Sequence, residues 1–368
     1  MTLASSSYDS VGSLIDQPGL LNLAWTMDEQ ALLTADIRTC VRTALGYELS
    51  SGESCIDQYW VKDPYAENYL KPTVAEFFSL AHSTFDITCG AGVNALLYAI
   101  GALCRDRRLY VSGDVYPDLA HWARLFGSTP RRLSDVIDRS PVNYRRNDLN
   151  EAFILLERPA SRGLYTALDD LRDLCNRVAP AGAIVVVDES YANYFAPAFS
   201  AVHLLGETSN LVVLRGLSKG YWLGSLRFGM ALTASQLTRR IRTVVPSMQL
   251  SPLSACMGKA VLACGDVMRK LRHRIAEVKM HALDALPADL QQCLWPCDPA
   301  LPYWLFESPE STLQRFRNLG IVGKLQPFFS ESSLTVRYLC RLSVPLQGDR
   351  YTQFCRKLAG SESGRQYP

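Results

Sequence analysis

The run Ala183-Ile184-Val185-Val186-Val187 leads without a break into Asp188-Glu189, and it limits the fold more than any other stretch of the chain. A strand with one face in water alternates apolar and polar residues. A continuous β-branched run is instead buried on both faces, as in a parallel sheet with helices on either side. Further short apolar runs at 86–89, 109–112, 152–156, 211–214 and 226–232 read as strands, and 93–103 reads as an apolar helix. With 368 residues the chain is long for one domain, so one large and one small domain are expected.

Open α/β sheets place their chemistry beyond the carboxyl ends of the strands. Ser218-Lys219-Gly220 lies between two strand-like runs and therefore falls in such a turn. A lysine there, partly desolvated beside Arg215 and Arg227, is expected to have a lowered pKa and a free amine for attack on a carbonyl. The Ser218 hydroxyl and the fork of donors on Arg227 together suit a phosphate monoester. Gly90-Ala91-Gly92 precedes the helix, and small residues let backbone N–H groups approach a phosphate at a helix N-terminus.

Lys plus Arg total 38 against 36 Asp plus Glu, so no broad basic field argues for nucleic acid or a membrane surface, and the expected partners are small molecules. No run approaches eighteen apolar residues, and residues 1–10 lack a basic segment followed by an apolar one. The eleven cysteines are scattered, with Cys293 and Cys297 the one close pair and no Cys-x-x-Cys. Reduced thiols in a cytoplasmic protein are expected, with no metal site.

Taken in order, these segments resemble the class I/II aminotransferase family of fold-type I pyridoxal-phosphate enzymes. The stretch from Ser218-Lys219 to Arg227-Phe228-Gly229 is similar to the family's cofactor-lysine segment. Asp188-Glu189-Ser190-Tyr191 is similar to its Asp-Glu-x-Tyr, and Leu339-Cys340-Arg341-Leu342-Ser343-Val344 to its Leu-Arg-Ile-Ser-Val. The resemblance implies a mixed, mostly parallel seven-stranded sheet with helices on both faces, plus a smaller α/β domain. Residues 1–40 would join the small domain, 41–250 form the large cofactor domain, and 251–368 complete the small one.

The same resemblance assigns pyridoxal 5'-phosphate to Lys219, with Asp188 on the pyridine nitrogen and Tyr191 on the ring oxygen. It places Gly90, Ala91, Gly92, Ser218 and Arg227 around the phosphate and Tyr116 on the cofactor ring. Arg341 is the expected fork for the substrate carboxylate, with Arg337 on the same strand face by parity. A homodimer is implied, in which a tyrosine reaches the partner's phosphate; Tyr65 is chosen, with Tyr59 and Tyr69 as alternatives.

One departure separates this chain from the family pattern. Where relatives carry an asparagine in Asn-Pro-Thr-Gly, this chain reads Glu157-Arg158-Pro159-Ala160-Ser161-Arg162-Gly163, with Ser161 at the asparagine's place. The hydroxyl is shorter and leaves room for water or for one of the arginines. Two reactions are therefore expected as rivals: transamination of an α-amino acid, and elimination or cyclisation of a cationic one, similar to capreomycidine or enduracididine synthases. For the second, Asp28 and Glu29 would face a substrate guanidinium. Thr26 with Glu29 also fits a helix capping box, and the two readings are compatible.

Overall fold

The computed structural model describes residues 19–51, 59, 61–137, 148–160, 162 and 165–359. The chain divides into two compact units: Leu33–Arg269 with Phe329–Thr335, and Met1–Leu32 with Lys270–Phe328 and Val336–Pro368. The breaks thus fall at 32 and 269, against the expected 40 and 250.

The larger unit is built on a seven-stranded sheet: β1 (Asp86–Ala91), β2 (Leu109–Val111), β3 (Pro130–Arg132), β4 (Phe153–Glu157), β5 (Ile184–Asp188), β6 (Leu211–Gly216) and β7 (Phe228–Thr233). Their spatial order is β1-β7-β6-β5-β4-β2-β3. The strands from β3 to β6 run parallel, and β7 is antiparallel to both of its neighbours. This is the mixed, mostly parallel sheet of the expected fold class. Val186 pairs with Leu155 on one side and Val212 on the other, so the β-branched run occupies the middle of the sheet.

Alternate residues of these strands bury opposite faces. Phe153, Leu155, Ile184, Val186, Val212 and Leu214 pack with apolar residues of the helices Val93–Leu103, Pro117–Leu125 and Ser235–Arg242. Ile154, Leu156, Val185, Val187 and Val213, pointing the other way, are equally buried. Two-sided burial is why no polar alternation appears in the sequence. The edge strand β3 escapes the sequence pattern because Pro130-Arg131-Arg132 contains no apolar run; proline at the start of an edge strand forfeits no ladder bond there.

One helical expectation changes. No helix starts at Thr26. Only the short turn Gln30–Leu32 follows it, and the helix Ile37–Ser50 begins instead at Asp36, whose carboxylate accepts from the Thr39 N–H at 3.1 Å. Further along lie two helices, Pro252–Ala263 and Arg269–Asp284, separated where Gly265 adopts a positive φ.

In the smaller unit a four-stranded sheet runs in the order Lys324–Ser330, Thr335–Ser343, Tyr303–Phe306, Leu294–Trp295. Leu21–Asn22 pairs in parallel with Ile321–Val322. Among the described residues no helix is long and apolar enough to cross a membrane, and no group of three or more His, Cys, Asp or Glu side chains could hold a metal ion. The ten described cysteines are free.

The sheet and the turn after β1 meet at Gly229, where an added Cβ would lie 2.5 Å from the Gly92 carbonyl carbon and 2.7 Å from the Val93 nitrogen. Backbone cannot yield as a side chain tip does. Gly229→Ala should lower the unfolding free energy in urea by about 1–3 kcal/mol, the range for forced overpacking.

Candidate active site

The strand ends of the large sheet gather the polar residues. Register places Asp188, the last residue of β5, beside Glu157 of β4 and Leu214 of β6. Asp188 is buried, and its Oδ1 accepts from the Ser190 N–H at 2.8 Å and the Ser190 hydroxyl at 2.6 Å. Burial pushes its carboxyl above the usual carboxylate range, against those two bonds. Its Oδ2 has no hydrogen bond among the described residues. Lys219 sits on the turn after β6, half-buried, with its Nζ 5.5 Å from the centre of the Tyr191 ring.

A cradle forms where β1 turns into the helix Val93–Leu103. Gly92 has φ +83°, and a Cβ on it would lie 2.6 Å from Arg227 Nη2. That same Nη2 donates to the Ala91 carbonyl at 3.2 Å, and Nη1 donates to the Gly224 carbonyl at 3.3 Å. No side chain caps this helix N-terminus. Gly90, Ala91, Gly92 and Arg227 are therefore together. Gln249 was not foreseen: its Oε1 accepts from the Ala91 N–H at 3.3 Å and fills the space a Cβ on Gly90 would need. Ser225 is exposed on the short turn Gly224–Leu226.

Beneath these residues lies a buried ionic network. Glu189, which had no expected role, accepts from Arg215 at 3.0 Å, from the Ala201 N–H at 2.6 Å and from the Ser200 hydroxyl, and lies 3.6 Å from Arg158. Arg215 also donates to Asn193 Oδ1 at 2.7 Å. The Arg215 guanidinium, expected beside Lys219, is held by Glu189 and Asn193. Asn193 in turn donates to the carbonyls of Gly216 at 2.8 Å and Lys219 at 2.9 Å.

Tyr116 is the N-cap residue of the helix Pro117–Leu125, and its N–H donates to the Glu157 carboxylate. Tyr191 stacks on Tyr194 with ring centres 6.1 Å apart. Ser161 lies outside the described residues. The two arginines beside it have other duties. Arg158 donates to the Thr166 carbonyl at 2.8 Å and stacks on Phe199, and Arg162 pairs with Asp114. Tyr65 places its hydroxyl 3.4 Å from the carbonyls of Arg242 and Val245, with the Arg242 guanidinium over its ring. Tyr59 is exposed, and Tyr69 lies under the Lys259 ammonium.

In the smaller unit Arg341 is buried on the strand Thr335–Ser343, over the Tyr303 ring at 4.1 Å, and donates to Gln326 Oε1 at 3.2 Å. Arg337, on the same strand, is exposed. Asp28 is held by partners within the protein. Its carboxylate accepts from the Leu346 N–H at 3.0 Å and from Arg350 Nε at 3.1 Å, so the guanidinium it faces belongs to the protein. Glu29, next to it, is also buried. Asp28 thus ties its segment to the chain around Leu346 and Arg350.

A family model for aminotransferase class I and II matches residues 63–319. The chain belongs to this family. Over 198 residues it is 25% identical to a histidinol-phosphate aminotransferase from Geotalea uraniireducens, covering 53% of this chain and 54% of the relative. Another histidinol-phosphate aminotransferase, from Prosthecochloris aestuarii, is 30% identical over 217 residues, covering 53% of this chain and 59% of the relative. The chain thus spans somewhat more than half the length of these curated relatives. The crystal structure of histidinol-phosphate aminotransferase from Sinorhizobium meliloti in complex with pyridoxal-5'-phosphate superposes with a TM-score of 0.69 at 16% identity, covering 98% of this chain and 96% of that one. At that identity the likeness is one of fold.

Within this aminotransferase-family chain the groups divide by chemistry. The cradle offers backbone N–H groups and a guanidinium to a phosphate, Asp188 offers a buried carboxylate to a cation, and Lys219 offers an amine. One further carboxylate belongs here. Asp118 lies two residues after Tyr116 and accepts from Asn94 Nδ2 at 3.3 Å; burial first, then the Asp188 charge, push its carboxyl up to about 6. A carboxyl raised in the fold gains protons there before it does so unfolded, so its ionisation destabilises the protein as pH rises from 3.8 through about 6. Asp118→Asn should therefore stabilise the cofactor-free protein at neutral pH by about 2 kcal/mol, an advantage that disappears as the pH falls toward 4. Melting temperatures of both proteins across that range test this.

Proposed function

We propose that this chain is a pyridoxal 5'-phosphate-dependent aminotransferase acting on a free α-amino acid, with Lys219 as its cofactor lysine. The observation that carries the reading is the grouping in one unit of a buried acid ending β5, a lysine on the turn after β6, and a glycine cradle with its arginine. The residues fit the cofactor. A Cβ at Gly92 would collide with Arg227, so the cradle is kept open by glycine, and the Asp188 carboxyl, raised by burial, suits a cationic nitrogen.

Pyridoxal phosphate, when bound, supplies an aldehyde that takes up amines and a ring that draws electrons from the substrate's α-carbon. The chain's residues do the rest. Gly90, Ala91, Gly92, Ser218 and Arg227 would hold the phosphate; Asp188 would hold the protonated pyridine nitrogen; Tyr116 would pack on the ring, and Tyr191 would serve its oxygen. Lys219 Nζ would move the substrate's α-proton. Arg341 is the fork for the substrate carboxylate. We read the enzyme as a cytoplasmic homodimer with Tyr65 at the subunit contact; the free cysteines support a reducing compartment, and exposed Tyr47 and Leu49 on the helix Ile37–Ser50 offer apolar surface to a second copy. With Asp28 committed to Arg350, nothing favours a cyclising enzyme over an aminotransferase.

Borohydride treatment of the loaded protein should fix the cofactor covalently to Lys219, and Lys219→Ala should abolish both labelling and turnover; label on any other residue overturns the assignment. The substrate is tested by presenting a panel of amino acids, with histidinol phosphate among them, and following conversion of the bound cofactor to its amine form. Arg341→Lys should raise KM for the preferred amino acid by about tenfold or more while a decarboxylated analogue binds as before, because lysine cannot reproduce the two-pronged contact.

A further inference from the structure

We propose that Asn193 is a positioning residue for Lys219, the side chain that fixes where the lysine amine stands relative to Asp188. The inference rests on the assignment of Lys219 as the cofactor lysine. Asn193 lies in the short turn Ala192–Tyr194, five residues beyond the end of β5, and is buried. Its Nδ2 uses both protons on the lysine turn, donating to the carbonyls of Gly216 at 2.8 Å and of Lys219 itself at 2.9 Å. The first ends β6 and the second belongs to the reacting residue, so one amide spans the turn between them.

The orientation of the amide is chemically determined. Two carbonyls can only accept, and Arg215, which donates to Oδ1 at 2.7 Å, has no acceptor to offer. Arg215 is itself held by Glu189, the residue following Asp188. A continuous chain of hydrogen bonds therefore runs from the acid's own neighbour through Arg215 and Asn193 to the lysine backbone. The same turn adds two contacts. The Tyr194 hydroxyl accepts from the Gly220 N–H at 3.1 Å, and the Tyr191 ring lies 5.5 Å from Lys219 Nζ. Residues 191–194 thus touch the lysine at its side chain, its carbonyl and the next N–H. They do not form the phosphate cradle, which is built from the turn after β1 and Arg227.

This separation gives the test. Joining Lys219 to the cofactor forms a C=N bond and releases the aldehyde oxygen, with two protons from the ammonium after one is lost to solvent, as water. It requires the amine to be in place, whereas binding pyridoxamine phosphate, which has no aldehyde, requires only the cradle and Asp188. Cofactor-free Asn193→Ala and Asn193→Asp should join pyridoxal phosphate about 10- to 100-fold more slowly than the unaltered protein, the scale for a reacting group displaced by about 1 Å. Their affinity for pyridoxamine phosphate should stay within roughly threefold, since the cradle is untouched. The aspartate variant is the sharper of the two, having the size of asparagine and no proton to donate.

Joining rates unchanged in both variants would overturn the proposal. A loss of pyridoxamine phosphate affinity equal to the loss in rate would also overturn it, by making Asn193 a general support of the fold. Should both variants fail to fold, Asn193→Ser, which keeps one donor, decides by the same two measurements. Failure of borohydride to label Lys219 in the unaltered protein would instead remove the cofactor assignment, a result that the Asn193 variants cannot produce.

Discussion

Glu189 has no exposed surface, and a carboxylate in that position must be answered by cations and donors from the protein itself. Arg215, Arg158, Ser200 and the Ala201 N–H all converge on it. These partners come from the ends of β4 and β6 and from the segment after β5, so the carboxylate binds three neighbouring strands at the edge where the chemistry lies. Removing one partner from such a buried pair typically costs about 3–5 kcal/mol, comparable to a large part of a domain's net stability. The network is thus a condition for the site as well as a support beneath it.

The neighbouring acid is treated differently. Asp188 is buried with only Ser190 as a donor, and its carboxyl is raised; Asp118 is raised as well, partly by Asp188. Two adjacent residues on one strand end therefore divide the work. Glu189 is satisfied within the protein, while Asp188 has one oxygen without a hydrogen bond among the described residues. Placing the functional acid beside a fully paired one limits the strand end's freedom without spending the functional acid's own hydrogen bonds.

The cradle depends on the absence of side chains. Gly229 on β7 lies against the backbone of Gly92 and Val93, and Gly92 lies against Arg227, so three strand-end segments approach more closely than a Cβ permits. That closeness brings the guanidinium to the Ala91 carbonyl beside an N-terminus that no side chain caps. Anion binding at such a place needs little more than backbone and the helix dipole.

Much of this was legible in the sequence. The unbroken run 183–187 required a strand buried on both faces, the spacing of Ser218, Lys219 and Arg227 placed a lysine and a cation at a strand end, and Gly90-Ala91-Gly92 before an apolar helix marked the cradle. These signals are local: burial pattern, glycine geometry and residue spacing survive in one dimension. The partners of charged side chains do not. Asp28 read as a substrate contact, and nothing near it in sequence announced that Arg350, more than three hundred residues away, lies at its carboxylate. Arg215 read as a neighbour of Lys219 until Glu189 and Asn193 claimed it, and Asn193 carried no signal at all. A charge pairs with whatever the fold brings within a few ångströms, and sequence separation has no bearing on that distance. The chain by itself determined most of the sheet and the residues proposed for the site, and the tertiary structure alone decided which polar residues pair within the protein.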